Sequence, residues 1–318
     1  MTEPPHKWGE VGYKAKDYKR SALDKMFFSP DDHRLRAGWR MLLFLFLFAI
    51  VSPFWLIPSG IQIANFGDDQ LALALREMGK VLAFTIPVLL ARKVIDERSI
   101  PSLGLKLDRW TILDFCCGVG ISFGIMAIGF LLMAGLGIMQ IQSFAWQADT
   151  FQTIVANLIG LFLIFTLVGW SEELVFRGYF LQNAIEGTNI FWGVLLSSLF
   201  FSAAHLSNVG ITAIGLFMIF LGGILFSYAY LTTKQLWLAV ALHLGWDFFG
   251  TIFLGFSISG VHLYRLVQSE VQRAGGGAGI FLFFIIILTF FQGILVYQYS
   301  KITAGRRNPA NPANPAPQ

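Results

Sequence analysis

From Ala274 to Ser300 the chain carries no charged side chain, and an apolar run of that length decides its surroundings before anything else is asked. A helix needs about 20 mostly apolar residues to span the hydrocarbon core of a bilayer, and several other stretches of the chain are long enough to do the same. Composition points the same way: 55% of residues are hydrophobic and 13% are charged, whereas globular chains carry about a quarter charged residues. The chain is therefore read as all-α, a polytopic membrane helix bundle with the lipid bilayer as its surroundings. Its 32 Phe exclude disorder for the bulk of it. Two adjacent cysteines in an apolar stretch, Cys116 and Cys117, exclude both a disulfide scaffold and a Cys-based zinc module. A net charge of +4 is no argument for a nucleic-acid partner, because the 23 Lys and Arg lie mostly at the N-terminus and in one loop, where membrane topology explains them.

Matching uncharged runs to the bilayer gives eight expected spans, at roughly 40–59, 72–92, 111–138, 152–172 with a continuation to 187, 190–207, 211–231, 235–256 and 276–299. The second is the weakest, since Arg76, Glu77 and Lys80 crowd its start. Gly120 and Gly124 in the third have the small-xxx-small spacing that lets membrane helices approach closely. Asp114 sits near the start of that span and is read as an N-terminal capping or dipole residue. Five regions follow: a polar cytoplasmic segment over 1–39, N-terminal transmembrane helices over 40–149, a core over 150–256 that holds the candidate chemistry, a loop and last transmembrane helix over 257–300, and a disordered tail over 301–318 of basic and Asn-Pro-Ala character.

Charge then orients the bundle, because short cytoplasmic loops accumulate Lys and Arg. The first forty residues hold nine Lys or Arg and six Asp or Glu, with no apolar core where a cleavable signal peptide needs one. Arg92, Lys93, Arg98, Lys106 and Arg109 mark the loop after the second span, while the loops around Asp68 and Asp149 hold no basic residue. Both termini and the 92–110 loop are expected inside, in a bacterial inner or plasma membrane. Arg265 and Arg273 are the contrary signal.

Ionisable residues inside a membrane are costly, which makes each a functional candidate. Those in the second half of the chain are Glu172, Glu173, Arg177, His205, His243 and Asp247. Glu173 and Arg177, Phe201 and His205, and His243 and Asp247 are each spaced i and i+4, so each pair shares a helix face. A tight turn near Thr188 to Ile190 puts Glu172 and His205 at about equal distances from it, roughly 22 to 25 Å at 1.5 Å per residue. The span starting near Gln235 brings His243 and Asp247 to about 12 and 18 Å depth. Three helices thus aim these groups into one layer. His6, His33 and His262 lie outside it and are read as solvent or interface residues.

These residues resemble a known family. The E-E-x-x-x-R of Glu172, Glu173 and Arg177, the F-x-x-x-H of Phe201 and His205, and the pair His243 and Asp247 look like the three motifs of the CAAX prenyl endopeptidase and bacteriocin-processing (CPBP, or Abi) intramembrane proteases, in order and spacing, over about residues 150 to 250. The last motif often ends in Asn; here it is Asp247, an acceptor in place of a neutral donor. The resemblance implies a CAAX protease-like intramembrane endopeptidase acting on a membrane-associated peptide or protein substrate, with Glu172 as the base.

Two chemistries are open to the motifs. In one, His205, His243 and one of the two glutamates, Glu172 or Glu173, are the three protein ligands of a zinc or other divalent metal with an open fourth position, and the other glutamate is the base. In the other, Glu172 activates water with His205 as its partner while His243 helps hold the oxyanion. Glu173 with Arg177 is read as the orienting pair, and Phe201 as a wall that limits water. Two other function classes fit less well. A secondary transporter or proton relay would show paired, interrupted segments, and the first half shows no repeat of the second; a catalytically silent membrane scaffold would have no use for Glu172, His205 and His243 together.

Overall fold

The structure is a computed structural model, and it describes residues 21–30, 34–53, 70–208, 210–254, 264–268 and 277–307. His6, His33 and His262, Asp68 with the 58–69 loop, Arg273 and the Asn-Pro-Ala repeats lie outside the described residues. Nine helices are described: α1 Ala22–Phe27, α2 Ala37–Val51, α3 Gln70–Leu90, α4 Arg109–Gly135, α5 Phe151–Gly187, α6 Ile190–Ala204, α7 Ala213–Thr233, α8 Trp237–Leu254 and α9 Gly277–Arg307. Among the described residues α4, α5, α7, α8 and part of α9 are long and apolar enough to cross a membrane. Two shorter apolar helices, α2 and α6, and the Pro87-containing α3 occupy the other expected spans.

The most buried of the long helices is α8, which packs against α4, α5 and α7. Thirteen of its residues are buried, His243 among them. Its approach to α4 is made by small residues: a Cβ on Gly118 would lie 2.6 Å from Ala241 Cβ, and a Cβ on Gly245 would lie 2.3 Å from Ser122 Cβ. The expectation that Gly120 and Gly124 make a close helix contact is corrected, because neither has a neighbour within 4 Å of a built Cβ. The spacing is that of the seam but the helix face is not, since residues two apart point to opposite sides. Gly118→Ala should therefore destabilise by about 1 to 3 kcal/mol through overpacking, while Gly124→Ala should leave stability within about 0.5 kcal/mol or raise it. Thermal unfolding of the two variants in detergent checks the contrast, and equal effects would refute the assigned face.

Three further expectations change. Asp108, not Asp114, caps α4, accepting from Trp110 N at 2.8 Å; Asp114 lies more than a turn inside, fully buried, and accepts from Tyr299 Oη of α9 at 2.5 Å. The last helix runs on to Arg307, into the stretch read as tail, and Lys301, Arg306 and Arg307 there suit a helix C-terminus. Finally, among the described residues the all-α bundle carries one antiparallel ribbon, β1 Met139–Phe144 with β2 Tyr264–Gln268, which joins the connections after α4 and α8 and puts Arg265 opposite Ser143.

The 92–110 loop is not a simple solvated cluster of cations either. A π-helical turn, Ala91–Ile95, continues α3, and Arg92 and Asp96 are buried and paired at 2.9 Å. Burial of paired charge beside the expected interface is how a loop can be basic by composition and still form part of the core.

Candidate active site

Helix α5 carries the first motif at a change in its own geometry. It is regular from Phe151 to Glu173, becomes π-helical over Leu174–Leu181, and is regular again over Gln182–Gly187. Glu172 and Glu173 thus close the regular part, and Arg177 lies within the π segment, a form that recurs at functional sites because it widens and rotates a helix locally. A short turn at Thr188 and Asn189 reverses the chain into α6, whose start is capped by Asn189 accepting from Trp192 N at 3.1 Å. Helix α6 ends at Ala204, so His205 sits on its C-terminal cap rather than inside it, with Nδ1 2.8 Å from Phe201 O. That carbonyl can only accept, so Nδ1 carries the proton and Nε2 is turned toward α5.

Glu172 and His205 meet at one level as their equal distances from the turn predict, whereas His243, placed roughly 10 Å shallower by the same arithmetic, in fact reaches the same carboxylate. Glu172 Oε2 lies 3.6 Å from His205 Nε2 and 3.8 Å from His243 Nε2, and His243 Nε2 lies 3.6 Å from Asp247 Oδ2. These distances are too long for direct hydrogen bonds and suit groups that converge on a shared third atom. Glu172 Oε2 is buried with no hydrogen-bond partner among the described residues, although the carboxyl side chain is 17% exposed. One edge of the layer is therefore open while its reactive oxygen faces inward.

Behind this edge the groups are sealed. Glu173 Oε1 accepts from Arg177 Nη1 and from His243 Nδ1, each at 2.8 Å, and Glu173 and Arg177 are fully buried. Sequence spacing does not reveal the link from Glu173 to His243, since it pairs His243 with Asp247 instead. The link fixes the ring: Nδ1–H is held by Glu173, which aims Nε2 at Glu172 and Asp247. Arg177 Nη2 donates to Gly223 O at 3.1 Å, and its guanidinium lies 4.3 Å over Phe201 and 5.3 Å over Phe226.

Phe226 of α7 stacks on His243 at 4.9 Å and 14°, while Phe201 meets His205 and His243 edge-on at 4.9 and 5.7 Å. Phe201 therefore does wall the layer, and Phe226, Gly223 and Gly169 complete it without any signal in the motifs. A Cβ at Gly169 would lie 3.1 Å from Val240 O and 3.6 Å from His243 Cβ, so the lack of a side chain there lets α5 and α8 close on one another. Close glycine approach is a usual device of membrane helix packing.

All six predicted site residues are thus brought into one layer: Glu172, His205, His243 and Asp247 on its open edge, Glu173 and Arg177 behind. A metal is a different matter. His243 backed by Glu173 is the kind of arrangement that orients a ligating imidazole, yet among the described residues no group of three or more His, Cys, Asp and Glu is arranged to hold a metal ion.

Residues 154–249 match the family model Rce1-like, described as type II CAAX prenyl endopeptidase Rce1-like. Over these residues the chain is similar to that family. The match supports a CAAX-type intramembrane endopeptidase in general, and it spans every residue of the layer from Glu172 to Asp247 while leaving α1 to α4 and α9 outside it. None of the curated proteins compared with the chain matches it.

Proposed function

We propose that the chain is an intramembrane endopeptidase that hydrolyses a peptide bond in membrane-associated substrates, lipid-modified CAAX-type peptides among them, with Glu172 as the base. The observation that carries the reading is the convergence of Glu172, His205 and His243, from three helices of an Rce1-like segment, at 3.6 and 3.8 Å around one carboxylate oxygen. In this reading a water bound between Glu172 and His205 gives a proton to the Glu172 carboxylate, and the resulting hydroxide adds to the carbonyl carbon of the substrate. His243, as an imidazolium held by Glu173 and flanked by Asp247, donates from Nε2 to the oxyanion. The carbon–nitrogen bond then breaks, and Glu172 returns its proton to the leaving amine. Arg177 offsets one of the layer's carboxylates and keeps Glu173 available to His243. Asp247 takes the position where a family member often has Asn, and its carboxylate, 3.6 Å from His243 Nε2, favours the imidazolium by charge.

Should a divalent ion such as zinc bind, Glu172, His205 and His243 would hold it, and it would supply Lewis-acid polarisation of the scissile carbonyl. The steps above run through the side chains alone. Purified protein tested on matched prenylated and unprenylated peptides should cleave the lipidated form, and cleavage of neither would sink the proposal. Chelation should leave that turnover intact; loss on chelation with recovery on adding zinc would instead assign the His side chains as ligands.

The proposal includes a membrane orientation, with both termini and the 92–110 loop cytoplasmic, on the asymmetry of Lys and Arg among the early loops. With Cys116 and Cys117 replaced, single cysteines introduced in the 92–110 loop should react only with reagent on the cytoplasmic side and those in the 58–70 loop only from outside. A reversed pattern would overturn the orientation.

A further inference from the structure

A second buried polar cluster lies one to two helical turns beyond the active layer, on the same helix, and its centre is outside the Rce1-like segment. Asp96, fully buried after the π turn that ends α3, accepts from Arg92 Nη1 at 2.9 Å, from Tyr179 Oη at 3.2 Å and from Asn183 Nδ2 at 3.3 Å, with Arg40 Nη1 of α2 at 3.7 Å. Arg92 extends the cluster, donating to Gln182 Oε1 at 2.8 Å and to Ser102 O at 3.0 Å. Gln182 in turn donates to Ser102 O at 3.0 Å and to Tyr230 Oη at 2.6 Å. Glu186 closes the end of α5 by pairing with Arg34, Arg40 and Arg98 at 3.0, 2.5 and 2.9 Å.

The partners on α5 are what give this cluster its meaning. Tyr179 lies inside the π segment, two residues from Arg177, and Gln182, Asn183 and Glu186 follow at once. A π-helical stretch is less favourable than a regular one and persists only where its surroundings hold it. Here it is held at both ends: Arg177 is tied to Glu173 and Gly223 within the layer, and Tyr179 is tied to Asp96 below it. Asp96 touches none of the reacting groups. It is a carboxylate that α2, α3 and α5 share, so it fixes the rotation of the segment that delivers Arg177 to Glu173, and hence the tilt of the His243 ring.

We propose that Asp96, acting through Tyr179, is a positioning residue for the active layer, an inference that rests on the peptidase reading for its catalytic half only. The informative change is Tyr179→Phe, which removes the hydroxyl but keeps the ring against Phe44, 4.5 Å away between centroids, and leaves the Arg92 and Asp96 pair intact. Full-length protein in detergent should fold, with KM for the cleaved lipidated peptide unchanged and kcat per folded molecule down about 10- to 100-fold, the scale of small misplacements made at a distance. The ring 15N signals of His243 should shift as well, which a merely structural contact this far away would not produce. Asp96→Asn should give the same signature, and if it fails to fold, Tyr179→Phe alone decides. An unmoved His243 signal, or an unchanged kcat, overturns the proposal. Wild-type protein run in parallel separates the failures: a folded wild type that cleaves no peptide removes the peptidase reading, while the His243 signal still judges the link from Asp96.

Discussion

Glu172→Gln is expected to lower turnover by at least about 100-fold while the protein stays folded, the usual scale for losing a positioned general base. The substitution preserves the shape of the side chain and removes only its ability to take a proton. Glu172 makes no short hydrogen bond through Oε2, which stands 3.6 Å from His205 and 3.8 Å from His243, so little native bonding is lost and stability should hardly move. His205→Ala and His243→Ala should fall comparably, and adding either to Glu172→Gln should cost little more, because groups that act as one unit are not additive. Initial-rate kinetics on the cleaved peptide, with melting curves for each variant, make the test. Full activity in folded Glu172→Gln protein would remove this carboxylate from the mechanism.

Much of this site can be read in the sequence because the membrane restricts what a helix can do. Apolar runs set where helices lie, and a fixed rise per residue then sets depth; that arithmetic alone places Glu172 and His205 at one level, and their side chains meet. Rotation about the helix axis is not fixed in the same way. Gly118 and Ser122 form the seam with α8 while Gly120 and Gly124 do not, although both pairs share one spacing on one helix. The π segment of α5 is invisible to a periodicity argument, since it changes the period itself. Asp96 escapes for a different reason: with Arg92 and Arg98 beside it, it reads as part of a solvated basic loop, and only packing against Tyr179 and Asn183 reveals it as buried. Phe226, one apolar residue among many in α7, becomes identifiable only when His243 is seen stacked upon it.

The largest stability effects should come from Glu173 and Arg177. Both are fully buried, and removing one partner of a buried ion pair strands the other at a cost of about 3 to 5 kcal/mol. The two single changes are not equivalent, because Glu173 serves two donors. Arg177→Met leaves Glu173 still accepting from His243 Nδ1 at 2.8 Å, so some compensation survives. Glu173→Gln deprives both Arg177 and His243 of their carboxylate and leaves the guanidinium with Gly223 O and the Phe201 and Phe226 rings. We therefore expect Glu173→Gln to be the more damaging single change and the double variant to recover part of the loss, since neither charge is then stranded. The double variant should nonetheless be inactive: a neutral amide in place of the Glu173 carboxylate can accept from His243 but cannot hold it as an imidazolium aimed at the layer. Melting in detergent across the four proteins measures the coupling directly. If the double variant loses as much as the two singles summed, the pair is uncoupled and its stabilising role is wrong; if it melts like the wild type and also cleaves peptide, Glu173 has no part in orienting His243.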